Sequence, residues 1–92
     1  MPTRDELVAY AQGQARANGL DPAVFVCQIN EESGFGHLSD CNSFGACGIA
    51  QIVPAYHPGV NVFDPFASLA YAAQLTGGYL RQYGDIRLAL AA

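Results

Sequence analysis

The chain has 92 residues, room for one small domain spanning 1–92 and no second one. Hydrophobic residues make up 51% and charged residues 13%, a balance that excludes a disordered segment and calls for a packed core. A net charge of −4 and four scattered basic residues, Arg4, Arg16, Arg81 and Arg87, argue against a nucleic-acid partner or an anionic membrane surface. No apolar run approaches the roughly 20 residues that a bilayer span needs, so no membrane span is expected.

The chain reads as mainly helical. Thr3 is placed to cap a first helix, and Glu6 three residues later completes a capping box. Leu7, Ala11, Gln14 and Ala15 then share a face, with Val8 beside it, and Asn18-Gly19 ends the helix. Asp21-Pro22 opens a second helix, with Asp21 as cap and Pro22 in the first turn; it runs to about Ser33 and stops at Gly34. From Gly34 to Gly59 glycine recurs, which predicts a loop-rich middle or one with a short strand through Gly48–Val53, and a natural place for a cleft. Asp64-Pro65 repeats the cap-plus-proline start of a long helix that reaches about Tyr83. Phe66, Leu69, Ala70, Ala73, Gly77 and Leu80 fall on one of its faces. Gly77-Gly78 costs roughly 1 kcal/mol per glycine inside a helix, so a close approach by another helix is expected at Gly77. Gly84 is read as its end, and Asp85 as the cap of a last helix carrying Ile86, Leu88, Ala89 and Leu90.

Glu32 is the residue whose position suggests chemistry. At about 100° per residue, Phe25, Ile29 and Glu32 share a face of the second helix, so a carboxylate completes an apolar stripe. Burial disfavours the ionised form, and the negative end of the helix dipole acts the same way. Both favour a carboxylic acid able to donate a proton near neutral pH. The plainer alternative is a helix-end glutamate in open solvent, as is expected for Glu31. Three cysteines leave two readings open: a Cys41–Cys47 disulfide in an oxidising compartment with Cys27 left over, or three small buried thiols. There is no Cys-x-x-Cys pair, and His37 and His57 lack zinc spacing, so no metal site is expected. His37 reads as a surface histidine without a partner.

Glu32-Ser33-Gly34-Phe35, followed by Gly45-Ala46-Cys47-Gly48-Ile49-Ala50-Gln51-Ile52-Val53-Pro54, resembles the soluble lytic transglycosylase family of the lysozyme-like (goose-type) superfamily. That family's signature is Glu-Ser-Gly-Phe on a helix, then a Gly-Ala-x-Gly-Leu-Met-Gln-Leu-x-Pro segment. Asn18-Gly19-Leu20-Asp21-Pro22-Ala23, Asp64-Pro65-Phe66, Tyr71 to Leu80 and Arg87 to Ala92 are similar to flanking parts of the same domain, so the likeness spans roughly residues 15–92. Each piece alone is weak; their order and spacing together carry the resemblance.

The resemblance implies a helical lysozyme-like domain that cleaves the β-1,4 bond between N-acetylmuramic acid and N-acetylglucosamine in peptidoglycan. The product ends in a 1,6-anhydro ring, and no cofactor is needed. Glu32 matches the catalytic acid/base. Ser33 matches a serine that supports the sugar's N-acetyl group or orients the glutamate, and Gln51 a glutamine lining the cleft. Gly48, Ile49 and Ala50 match the backbone of the cleft wall, where Ile49 and Ala50 replace Leu and Met. Tyr56 and His57 are candidates for the cleft edge, Tyr56 by stacking on a sugar, while Phe35 reads as core.

Three functional expectations follow. The first is a lytic transglycosylase acting on glycan strands outside the cytoplasm, in the periplasm or cell wall, or within a phage virion, as part of a larger phage tail or secretion protein. The second is a hydrolytic muramidase of the same fold, which calls for a second carboxylate; Asp40 is its candidate, against a reading as a solvated turn residue. The third is a non-catalytic peptidoglycan-binding module. The polar start Met1-Pro2-Thr3-Arg4-Asp5-Glu6 is unlike a secretory signal, which for a wall enzyme points to a cut precursor, unconventional export or a phage particle. The family's Tyr-Asn-Ala-Gly run would come after Ala92, so the chain is expected to be a C-terminally truncated domain with weak activity at most.

Overall fold

The computed structural model describes residues 1–83, and the last helix expected from Asp85 onward lies outside them. Three helices form the frame: α1 (Arg4–Ala17), α2 (Pro22–Ser33) and α3 (Pro65–Tyr83). Among the described residues there is no strand, and the mainly helical expectation holds at that level.

Local chemistry sets the helix boundaries. Thr3 Oγ1 accepts from the Glu6 backbone N–H at 3.1 Å while the Glu6 carboxylate accepts from Thr3 N at 3.2 Å, which is the expected capping box. Asp21 caps α2 by accepting from the backbone N–H groups of Ala23 and Val24 at 2.8 and 3.3 Å. Asp64 does the same for α3 with Phe66 and Ala67 at 3.0 and 3.3 Å. Each cap satisfies N–H groups that the helix itself leaves without partners. Gly34 ends α2 in the left-handed region, at φ 63°, where a glycine meets no Cβ penalty.

Helix α1 packs against both α2 and α3. Leu7, Ala11 and Ala15 of α1, Phe25 and Ile29 of α2, and Leu69, Ala72 and Ala73 of α3 are buried together. The small side chains on α1 and α3 let those two helices approach closely. At Gly77 the contact is tight: a Cβ there would sit 2.6 Å from the Asn18 carbonyl oxygen at the C-cap of α1. The close contact expected at Gly77 is thus present. The buried stripe of α3 is Ser68, Leu69, Ala72, Ala73, Thr76 and Gly77, rotated from the expected one. Phe66 is partly exposed and meets Tyr10 of α1 edge-on, with ring centroids 5.0 Å apart.

Arg4 fastens the start of α1 to the end of α2. Its guanidinium donates to the Gly34 carbonyl at 2.6 Å and to Asn30 Oδ1 at 3.2 Å, and stacks over the Phe35 ring at 5.2 Å. A cation at the carbonyl end of a helix is favourable in the field of the peptide dipoles. Phe35 is buried, as expected. The segment between α2 and α3 is irregular. The short strand through Gly48–Val53 is absent; Cys47 and Ile52 exchange both backbone hydrogen bonds, at 2.8 and 3.0 Å, and residues 48–51 turn tightly between them. The Gly48 φ of 73° and its left-handed partner Gln51, at 51°, make an extended strand impossible here.

Candidate active site

The C-terminal turn of α2 carries Glu32 to the rim of a cleft of about 340 Å³. Among the described residues the cleft is lined by Glu32, His37, Asp40, Cys41, Asn42 and Gln51. Glu32 and Gln51 therefore share one concavity. Their convergence depends on the turn at 48–51, which is pinned from three sides. Ser33 Oγ donates to the Ile49 carbonyl and so ties the end of α2 to the turn. Gly48 N donates to the Asp40 carbonyl at 3.0 Å. Gly48 also packs so tightly against the segment before α3 that a Cβ would lie 1.9 Å from the Val62 carbonyl oxygen.

Glu32 is exposed rather than part of the core, and Phe25 and Ile29 carry the buried end of its stripe. Its carboxyl is nevertheless raised from its ordinary value, first by desolvation through partial burial and second by the neighbouring charge of Glu31. Glu31 faces water, as expected. A carboxyl shifted in this direction keeps more of its acid form as pH rises, as a proton donor requires.

Gln51 is locked at both ends of its carboxamide. Nε2 donates to the Gly48 carbonyl at 2.8 Å, and Oε1 accepts from Asn42 Nδ2 at 3.2 Å. The lock holds although Gln51 sits in the left-handed region, at a cost of order 1 kcal/mol for a residue with a Cβ. Cys41 and Cys47 form a disulfide, while Cys27 is a free, exposed thiol on α2. The reading of three buried thiols is therefore wrong.

Several expected site residues stand elsewhere. None of Gly48, Ile49 and Ala50, whose backbone was expected in the cleft wall, is among the lining residues, and Ile49 and Ala50 bury their side chains in the core. Gly48 serves backbone packing, and Ser33 spends its hydroxyl on the Ile49 carbonyl. Tyr56 is 77% exposed and is not among the lining residues. His57 braces its loop on α3, with Nδ1 2.8 Å from the Tyr71 hydroxyl. His37, read as a lone surface histidine, has a partner: its Nδ1 lies 3.1 Å from Asp40 Oδ1, and both side chains line the cleft. The pairing needs a left-handed backbone at His37, φ 55°, which nothing in the sequence signals. Asp40 is likewise a cleft residue rather than only a turn residue.

Among the described residues no three His, Cys, Asp or Glu side chains are arranged to hold a metal ion, and no helix is long and apolar enough to cross a membrane. The arrangement offers one proton donor of raised pKa, an orienting carboxamide, and a second carboxylate paired with an imidazole. No protein-family model matches the chain, and no solved structure matches its fold.

Proposed function

We propose that the protein is a peptidoglycan lytic transglycosylase with a lysozyme-like fold and that Glu32 is its acid/base. The observation that carries this reading is the meeting of Glu32, its carboxyl held toward the neutral form, and Gln51 in one cleft. The sequence resemblance gives cleft roles to both of these side chains; Ser33, the third it names, lies outside the lining and ties the end of α2 to the turn that carries Gln51. The Cys41–Cys47 disulfide supports action in an oxidising space outside the cytoplasm, at the wall or on a phage particle.

In this mechanism Glu32 protonates the glycosidic oxygen as the bond to the muramic sugar breaks. The resulting carboxylate takes a proton from the C6 hydroxyl of the same sugar, which attacks the anomeric carbon and closes the 1,6-anhydro ring. The nucleophile is tethered to its electrophile, so proximity replaces an activated water. Gln51 supplies a fixed donor and acceptor for the sugar beside the bond.

Mass spectrometry of muropeptides released from purified sacculi tests the reading. Weak release of anhydro-muramic ends is expected from the parent and none from Glu32→Gln; sacculi left intact by the parent even at high concentration and long incubation would refute it. A hydrolytic muramidase is the second reading, favoured by the presence of Asp40 in the same cleft. It requires reducing muramic ends that carry oxygen from labelled water, lost on Asp40→Asn. A binding module would leave sacculi intact and keep its affinity for them in Glu32→Gln.

A further inference from the structure

Hydrogen bonds of the disulfide-closed loop converge on one side chain. Asn42 Oδ1 accepts from the backbone N–H groups of Phe44 at 2.8 Å and Ala46 at 3.1 Å. The Asn42 backbone N donates to the Ala46 carbonyl at 2.9 Å, and Gly45 N donates back to the Asn42 carbonyl at 3.1 Å. These bonds shape the loop, and an aspartate would serve them equally well, since they use only a carbonyl-type oxygen. One group is left that aspartate lacks, the Nδ2 amide, and it donates to Gln51 Oε1.

We propose that Asn42 is the positioning residue of the cleft: from inside the Cys41–Cys47 loop it fixes the Gln51 carboxamide in a single orientation toward the glycan. The proposal rests on the reading of this cleft as a glycan site. A free glutamine side chain rotates and presents donor or acceptor at random. Here Nε2 is held by the Gly48 carbonyl and Oε1 by Asn42, so one N–H and one lone pair remain, both with a set direction. A donor next to an acceptor at fixed spacing is complementary to an acetamido or hydroxyl group of a sugar. The disulfide lies directly beside Asn42 and across the loop from it, so the covalent ring keeps this side chain in register with Gln51. Preorganising the carboxamide removes an ordering cost from substrate binding.

Two substitutions separate this role from loop folding. Asn42→Asp keeps the oxygen that Phe44 and Ala46 use, puts an acceptor in place of the donor to Gln51 and adds a negative charge. Asn42→Ser is neutral in charge and too short to reach Gln51. Both are to be made in the full chain, with the disulfide verified by mass. The first readout is nuclear magnetic resonance of the Gln51 side-chain amide, without substrate. In the parent it is expected to be ordered and slow to exchange. In both variants it is expected to become mobile, while the backbone amides of Phe44 and Ala46 in Asn42→Asp keep their positions. The second readout is steady-state cleavage of glycan strands, with kcat/KM expected to fall about five- to tenfold, the equivalent of one hydrogen bond, mostly through KM. An unchanged Gln51 amide in both variants overturns the proposal. A mobile Gln51 amide with no cleavage even by the parent sinks the glycan reading and leaves the positioning role supported.

Discussion

Gly77 and Gly78 sit side by side in α3 and are expected to respond to alanine with opposite signs. An alanine gains about 1 kcal/mol over glycine in a helix interior. Nothing lies within 4 Å of the Cβ that Gly78 would acquire, so Gly78→Ala should keep that gain. At Gly77 the new Cβ would meet the Asn18 carbonyl oxygen at 2.6 Å and the Asn18 Cβ at 3.2 Å. Reaching ordinary contact with that oxygen means opening the joint between α3 and the end of α1 by roughly 0.8 Å. The opposing atom is backbone, so it cannot swing aside as a side chain would. Overpacking of this kind costs about 1–3 kcal/mol, and opening the joint loosens the packing of Ala15 and Ala73 beside it. After the propensity gain, Gly77→Ala should be destabilised by about 1 kcal/mol, and the two variants should differ by about 2 kcal/mol. In a domain of this size that is about 8–16 °C in Tm. Thermal and urea melts followed by circular dichroism would measure it. A Gly77→Ala protein as stable as Gly78→Ala would show that α1 and α3 do not touch where described.

Three further outcomes are expected. Because the Glu32 carboxyl is raised above its ordinary value of 4.5, its contribution to stability is complete below that value and is lost as pH rises through the folded-state pKa. Glu32→Gln should therefore melt higher than the parent near neutral pH, with the advantage gone at about pH 3.5; a pH-independent difference in melts would contradict the assignment. Gly48→Ala adds a Cβ 1.9 Å from the Val62 carbonyl at a φ of 73°, so a loss of about 3 kcal/mol or more is expected, read as collapse of the dispersed amide spectrum. A native-like spectrum would argue against the described turn. Opening the ring with Cys41→Ser and Cys47→Ser together should cost about 2 kcal/mol, from a sequence separation of 6. An unchanged urea midpoint would mean that the loop is held by its hydrogen bonds alone.

The helix starts were legible because each depends on a few adjacent residues. Thr3 with Glu6, Asp21-Pro22 and Asp64-Pro65 all cap as expected. Gly77 was legible as a contact but not as to its partner, because a sequence does not say which backbone arrives there. The face of α3 was offset because Ser68 and Thr76 are buried, positions that hydropathy alone assigns to solvent. Ser68 tolerates burial by donating to the Val62 carbonyl at 3.0 Å, a partner visible only in three dimensions. In the middle segment, left-handed backbone at Phe35, His37 and Gln51 redirects side chains in ways that residue identity does not encode. At His37 that backbone accompanies its pairing with Asp40. The meeting of Glu32 and Gln51 followed from the resemblance, not from any periodicity.

The three cysteines bear on how the chain reaches its native state. Cys41 and Cys47 are 6 residues apart. The rival pairings of Cys27 with Cys41 or Cys47 would close loops of 14 and 20 residues. Loop-closure entropy alone then favours the native ring over these rivals by about 0.8 and 1.1 kcal/mol in the unfolded chain. Oxidation during folding is thus biased toward the correct crosslink before any helix has docked. It leaves Cys27 as a solvent-facing thiol on the helix that carries Glu32, open to labelling without disturbing the crosslink.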